Sequence, residues 1–281
     1  MLIRSYAKIN LFLKILNKRK DGFHNIESLM TPINLFDLLK VKKSKQFRIT
    51  CNDKNIPVDE NNIITKTFAL IRKKYNKDLL VDVSLYKNIP SGAGLGGGSS
   101  NAAAFLQIID KLFKLNMSFD EKIEIMSEVG SDTVFFLYNQ PSFVRGRGEI
   151  VDKTAVLPSF YILLAKPPVT ISTSSVYSDK NLTLTPYNTV SNMHSVLNYG
   201  DVLGSMSNGL QNVVFERYPE TGMIRDKMLA FNADAALLSG SGATVYGIYS
   251  SKKHLNKAYD YFKMFGRSSF VYKTENINNV I

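Results

Sequence analysis

The sequence contains one cysteine, Cys51, in 281 residues. A single thiol excludes an internal disulfide and agrees with a reducing cytosol. Long apolar runs are missing as well. No stretch approaches the ~18–20 consecutive apolar residues of a membrane span, so no membrane partner is expected. The opening Met1-Leu2-Ile3-Arg4-Ser5-Tyr6 lacks the charged segment, apolar core and small-residue cleavage site of a secretory leader. It is not a Ser/Arg-rich transit peptide either, and motif material begins at Tyr6. Acidic residues are the minority charge, 24 against 35 basic ones, for a net charge of +11. An excess of that size attracts anions. The basic stretches Lys18-Arg19-Lys20 and Lys42-Lys43-Ser44-Lys45 nevertheless lack interleaved aromatics and match no nucleic-acid module, so no nucleic acid is expected. A nucleotide, a phosphorylated metabolite, or lysines scattered over solvated faces would each account for the charge.

With 44% hydrophobic residues the chain can bury one large core or two modest ones, and its length favours two. Residues 2–16 read as one or two strands, and Asp21-Gly22 predicts a hairpin turn. Leu38–Val41 and Phe47–Cys51 read as further strands. Asn62 is placed to cap a helix running to about Tyr75, and Val81, Val83 and Leu85 alternate as one face of a strand. Ser118-Phe119-Asp120-Glu121 is a capping-box pattern for a helix ending near Gly130, and a short helix is expected from Asp132. An apolar strand, Phe160–Ala165, follows a boundary expected in Lys153–Pro158. The expected domains are thus 1–153 and 154–281. The second half continues with several helices, a strand at Ala235–Leu238, a glycine turn, strand Val245–Tyr249, a helix near Lys252–Lys263 and strand Phe270–Lys273. Strands and helices alternate irregularly, with neither repeats nor low-complexity tracts, which makes the class α+β.

The most informative segment is Pro90-Ser91-Gly92-Ala93-Gly94-Leu95-Gly96-Gly97-Gly98-Ser99-Ser100. Behind it, Ala102, Phe105, Leu106, Ile109, Leu112 and Phe113 recur at helical spacing. Strand, glycine loop and helix N-terminus is the order of a phosphate cradle. Glycine lets the backbone approach a ligand, successive N–H groups converge on an anion, and the helix end adds its dipole. A flexible linker or tight turn is the bland alternative, but linkers seldom separate a strand from a well-formed helix. The loop is not a Walker A motif, since no Lys follows Gly97 or Gly98. Gly92 to Gly97 fits GxGxxG, yet no acidic residue closes a second strand ~20 residues on, so it is not the dinucleotide fingerprint.

Pro90 to Ala102 resembles the phosphate-loop signature of the GHMP kinases. Ala7-Lys8-Ile9-Asn10-Leu11-Phe12-Leu13 with Asp21-Gly22-Phe23-His24 is similar to that family's N-terminal motif, and Leu238-Ser239-Gly240-Ser241-Gly242-Ala243 to its third motif. Gly94 to Ala103 is most similar to the branch that phosphorylates a cytidine diphosphate-linked polyol. The three motifs stand in register across nearly the whole chain. The resemblance implies a two-domain fold: an N-terminal ribosomal-protein-like domain with a left-handed βαβ unit, and a C-terminal ferredoxin-like domain. It implies a bacterial-type cytoplasmic enzyme, a monomer or weak homodimer, that uses ATP and Mg²⁺.

The resemblance also assigns roles. Asp132 is the base toward the acceptor hydroxyl and Lys8 its partner, which suits a reaction that needs positioning and charge stabilisation. Read without the resemblance, Asp132 is a helix cap and Lys8 a solvated edge lysine. The ATP phosphates lie over Pro90–Ser100, with Asn62 and Lys87 near the purine; the bland readings are a cap and a solvated lysine. Phe23 and Tyr177 sandwich the cytosine and His24 hydrogen-bonds it. Asn10, Ser172, Thr173, Gly240 and Ser241 are further substrate contacts, and no metal ligand is assigned. For His24 and Phe23, an idle hairpin residue and a core residue are equal alternatives. Three departures from the branch pattern stand out. Phe23 replaces a common Tyr, Asn208-Gly209-Leu210-Gln211 replaces Asn-Asp-Leu-Glu, and Thr133-Val134 replaces Val-Pro. Another GHMP kinase, acting on homoserine, mevalonate or a sugar, and a non-catalytic nucleotide- or RNA-binding protein remain as alternatives.

Overall fold

The computed structural model describes residues 1–153, 156–186, 197–265 and 268–278. The domain boundary expected at 153/154 falls at residues 154–155, outside the described residues. Two long strands open the chain, β1 (Leu2–Lys18) and β2 (His24–Lys43). They are joined by the turn that Asp21-Gly22 predicts: Gly22 takes φ +86°, and the Arg19 amide donates to the Phe23 carbonyl at 2.7 Å. Chain contacts define two units, and both strands contribute to each. The first unit comprises Met1–Ala7, Leu35–Ser91 and Gly96–Asn139; the second comprises Lys8–Asn34, Gly92–Leu95 and Gln140–Ile281.

In the first unit, β3 (Arg48–Cys51), α1 (Ile63–Tyr75) and β4 (Val81–Tyr86) form a βαβ unit in which β3 and β4 pair in parallel. β4 also pairs antiparallel with Leu38–Lys43 of β2. Its burial alternates as the sequence does, with Val81, Val83 and Leu85 inside. Asn62 caps α1 by accepting from the Ile64 amide at 2.8 Å. Behind β4 come α2 (Gly97–Phe113), α3 (Phe119–Val129) and α4 (Phe135–Tyr138). The Ser118/Glu121 capping box that starts α3 is fully formed. Ile64, Phe68 and Ile71 of α1 and Phe105, Leu106 and Ile109 of α2 close the core, with Phe47 and Phe68 stacked at 3.9 Å.

In the second unit, the parts of β1 and β2 it contains are followed by the hairpin β5 (Ser142–Gly146) and β6 (Ile150–Lys153), whose β5 pairs with Ile26–Met30 of β2. There follow β7 (Tyr161–Lys166), α5 (Thr173–Tyr177), α6 (Tyr199–Ser205), β8 (Ser207–Asn208), α7 (Gln211–Arg217) and α8 (Pro219–Ala230). The chain continues through β9 (Ala235–Leu238), β10 (Val245–Tyr249), α9 (Lys252–Met264) and β11 (Phe270–Glu275). β8 adds in parallel to β1, Phe12 opposite Ser207. β7, β9, β10 and β11 form an antiparallel sheet in the order β11-β7-β10-β9. Numbered along the chain, that order is fourth-first-third-second, the ferredoxin-like arrangement. Leu163, Val214, Met228, Tyr249, Leu255 and Phe262 belong to its core. The class is α+β, as the sequence implies.

Three elements differ from the sequence reading. β2 runs for 20 residues, where only Leu38–Val41 was expected. Ser28 to Ile33 is buried on both faces, so the period-2 signal is lost, and Pro32 argues locally against a strand. The β5–β6 hairpin was not expected, because its turn, Arg147-Gly148-Glu149, carries no Asn-Gly or Asp-Gly pair. The short helix begins at Phe135, not Asp132; Asp132 lies in the preceding turn, so it is not the cap.

Candidate active site

Within the second unit the structure gathers three sequence motifs around one lysine. Lys8 lies in the interior of β1 and is buried, not an edge lysine in water. Its ammonium donates to Asn10 Oδ1 at 2.7 Å and to the Gly94 carbonyl at 3.0 Å, while its amide donates to the Leu95 carbonyl at 3.0 Å. Asn10 is fixed in turn: its Nδ2 donates to Ser28 Oγ at 2.8 Å, and Ser28 donates to the Phe12 carbonyl at 2.6 Å. The buried Tyr246 hydroxyl donates to the Asn10 carbonyl at 2.7 Å. A buried cation so held has one orientation, and the surrounding acceptors offset part of its desolvation.

The glycine residues of both loops are required by this convergence. Gly94 has φ +72°, and a Cβ there would overlap the Ser239 carbonyl. A Cβ on Gly240, at φ +55°, would lie 3.2 Å from the Gly94 carbonyl and 3.4 Å from Lys8 Nζ. Ser239 Oγ donates to the Gly94 carbonyl at 3.0 Å, and the Thr244 amide reaches the Ala93 carbonyl at 3.3 Å. Asn208 holds the second loop from outside, with Nδ2 at 2.8 Å from the carbonyls of both Leu238 and Gly240. Ser239 belongs to the third glycine motif, whereas Ser28 and Asn208 were not among the expected site residues. The carbonyls that Ser28, Asn208 and Ser239 bond lie between 16 and 145 positions away in the chain, so these contacts could not be read from local sequence.

The candidate acceptor residues are also partly brought together. Thr173 and Ser241 share a hydroxyl hydrogen bond of 2.8 Å, and Ser172 shares one of 2.9 Å with Ser174. The His24 and Tyr177 rings approach to 5.5 Å with a 36° tilt. Phe23 is 48% exposed, so it is not a core residue, and the Arg147 guanidinium lies 5.1 Å from its ring centre. Burial lowers the pKa of His24 below the ordinary histidine value, with a smaller contribution from Lys18. A folded pKa below the unfolded one means that the associated stability is present above about pH 6.5 and is lost as pH falls through the folded value. An NMR titration of the folded protein should give a His24 midpoint below about 6.5; a midpoint at or above that value contradicts the packing described.

In the first unit, Gly97, Gly98, Ser99 and Ser100 are the opening turn of α2 instead of loop. Gly96, at φ +69°, starts the helix without a side-chain cap, and the first helical amides have no earlier carbonyl to bond. That leaves donors aimed out of the helix end, the requirement for an anion site. Lys87 is not solvated; its ammonium is paired with Asp37 and donates to Asn101 Oδ1 at 3.2 Å. Asn62 spends both ends of its amide on the protein, accepting from Ile64 and donating to the Pro57 carbonyl at 2.6 Å. Asp132 sits half-buried in the turn before α4. Its carboxylate has no hydrogen-bond or ion-pair partner among the described residues. Thr133 steadies that turn by donating to the carbonyls of Met126 and of Gly130, the latter at 2.8 Å.

Residues 62–140 match the family model described as GHMP kinases N terminal domain, and residues 195–267 match GHMP kinases C terminal. The chain is 37% identical over 270 residues to the 4-diphosphocytidyl-2-C-methyl-D-erythritol kinase of Bacillus cereus, a match covering 94% of this chain and 93% of that protein. Among solved structures, it resembles a 4-(cytidine 5'-diphospho)-2C-methyl-D-erythritol kinase with a TM-score of 0.81 and 25% identity, over 99% of this chain and 100% of that one. A homoserine kinase from Cytophaga hutchinsonii shares the fold at a TM-score of 0.72 and 20% identity, over 99% and 95% of the two chains.

Proposed function

The chain belongs to the GHMP kinases, and on that footing we propose that it transfers the γ-phosphoryl group of ATP to the 2-hydroxyl of 4-diphosphocytidyl-2-C-methyl-D-erythritol, giving the 2-phosphate and ADP. This is a step of non-mevalonate isoprenoid synthesis. The observation that carries the reading is the buried Lys8 ammonium, held by Asn10 and Gly94 where the two glycine motifs meet. Identity to a relative of that name over nearly the full length of both chains supports the choice of acceptor. The ATP phosphates lie against Pro90–Ser100, whose helix end supplies amide donors. Asp132, with no protein partner among the described residues, accepts the acceptor hydroxyl's proton as its oxygen bonds to the γ-phosphorus. The bond between the γ-phosphorus and the bridging oxygen breaks, ADP leaves, and Lys8 offsets the charge that develops on the phosphoryl oxygens.

Mg²⁺ supplies countercharge on the phosphates when bound. Among the described residues no group of three His, Cys, Asp or Glu gathers to hold a metal ion. This ion usually keeps several waters and is held by substrate phosphates with one or two carboxylates. The two family models fall on either side of the proposed domain limit at 153/154. No helix among the described residues is long and apolar enough to cross a membrane. A cytoplasmic location and a monomeric or weakly dimeric state belong to the proposal.

On the acceptor side, Phe23 and Tyr177 flank the cytosine, His24 reads it by hydrogen bonding, and Asn10, Ser172, Thr173, Gly240 and Ser241 line the rest. Removing an aromatic platform costs ~1–3 kcal/mol per stacked base. Phe23→Ala should therefore raise KM for the cytidyl acceptor at least ~5-fold and leave KM for ATP unchanged. Equal changes in both constants would place Phe23 outside the acceptor pocket. The function itself is tested by phosphorus NMR of the product mixture, where a new phosphomonoester on the 2-oxygen, appearing with ADP, is expected. ATP hydrolysis without that ester contradicts the assignment.

A further inference from the structure

One buried carboxylate in the first unit has no part in the chemistry above, yet four donors converge on it. Asp37 is fully buried in the C-terminal half of β2. Its Oδ1 accepts from the amides of Asn88 at 2.7 Å and Ile89 at 2.8 Å. Its Oδ2 accepts from Asn101 Nδ2 at 2.9 Å and from the Lys87 ammonium. Asn101 also donates to Ser5 Oγ at 2.5 Å and accepts from Lys87 at 3.2 Å. A single buried carboxylate beside one buried lysine is costly to desolvate, and a fold keeps such a pair only when the remaining acceptor sites are filled. Here they are filled from two segments that bracket the glycine loop. Residues 87–89 lead into it, and Asn101 is the fifth residue of the helix that leaves it.

We propose that Asp37 is a positioning residue for the nucleotide: it fastens the entry and the exit of the 90–100 segment to one carboxylate, and so holds the loop and the start of α2 in the phosphate-binding form before ATP arrives. The proposal rests on the reading of that segment as the phosphate site. Two further observations agree with it. Gly97, the first residue of α2, is packed so closely that an added Cβ would come within 2.9 Å of Ile89 Cγ2 and 3.0 Å of Lys87 Nζ. The two anchored ends are thus in direct contact. The loop's own residues also contribute few side-chain ties: five of the seven from Gly92 to Gly98 are glycine. A chain so rich in glycine loses much entropy on ordering, and an anchor at each end removes that cost from the binding step.

Asp37→Asn separates the anchor from simple packing. The volume is nearly unchanged and Oδ1 can keep its two amide donors, but the new NH₂ faces the donors on Lys87 and Asn101. Calorimetry with ATP should show Kd raised at least ~10-fold, with KM for the acceptor within twofold of wild type. In the ATP-free protein, hydrogen exchange at residues 91–99 should quicken at least ~10-fold while α1 keeps its protection. A folded Asp37→Asn protein with unchanged ATP affinity and unchanged exchange overturns the proposal. If that variant does not fold, Asn101→Leu is read instead. It cuts only the exit tie, and it should weaken ATP at least ~3-fold and quicken exchange at 97–100 before 88–89; unchanged values overturn the anchor. A wild type that binds no ATP sinks the phosphate-loop reading and the nucleotide role with it, whereas ATP binding with a silent Asp37 sinks the anchor alone.

Discussion

Lys8→Met and Asp132→Asn are each expected to lower kcat at least ~10²-fold with the fold intact, because in the proposed mechanism each removes a group that works only in the transition state. For Lys8 the structural argument is direct. The ammonium is buried, its direction is set by Asn10 and by the Gly94 carbonyl, and methionine fills the same space without charge. KM for either substrate should move far less than kcat, which is the signature of an interaction absent from the ground state. Asp132→Asn keeps the shape of the turn, since Thr133 and not Asp132 bonds the Met126 and Gly130 carbonyls. The double variant should cost little more than the worse single one, as residues acting on one proton and one phosphoryl group are not additive. Additive losses would indicate that the two act in separate steps. Near-wild-type turnover by either folded variant removes that residue from the mechanism.

Gly94→Ala should have the largest effect on the protein as a whole. A residue with Cβ at φ +72° is strained by ~1–2 kcal/mol, and this Cβ also meets the Ser239 carbonyl, a backbone atom that cannot rotate away. Relief requires the two glycine motifs to separate, which withdraws the Gly94 carbonyl from Lys8 and from Ser239 Oγ. A destabilisation of at least ~2 kcal/mol and a melting temperature lower by about 4–8 °C are expected, together with loss of most turnover. Gly98→Ala is the control for stability. Gly98 is helical and its nearest neighbour would lie 3.8 Å from the new Cβ, so alanine should leave the melting temperature unchanged or raise it. A Gly94→Ala protein that melts with the wild type would show that the close approach of the two loops is not needed.

What could be read in the sequence, and what could not, follows the range of the interactions. The Asn62 cap, the Ser118/Glu121 box, the Asp21-Gly22 turn and the alternation of Val81, Val83 and Leu85 depend on neighbours within a few residues, and each appears as expected. The glycine loop was legible for the same reason, although its last four residues belong to the helix. The long strand β2 was largely hidden, because residues covered on both faces show no alternation. The site was legible only where a motif names it. Lys8 and Asn10, two positions apart in one motif, were marked by resemblance, but Ser28 and Tyr246, which hold Asn10, are brought to it from 18 and 236 positions away. Asp37 offered no signal at all. It precedes the expected strand Leu38–Val41, and its donors on Lys87 and Asn101 lie 50 and 64 positions away.

The most direct test of the account is a coupled ADP-release assay with ATP, Mg²⁺ and 4-diphosphocytidyl-2-C-methyl-D-erythritol, run beside homoserine and mevalonate. The account predicts turnover with the cytidyl acceptor alone. Turnover with homoserine or mevalonate in its place would keep the phosphoryl chemistry of Lys8 and Asp132 but contradict the cytosine pocket of Phe23, His24 and Tyr177. A folded protein that binds ATP and phosphorylates none of the three would contradict the kinase assignment itself.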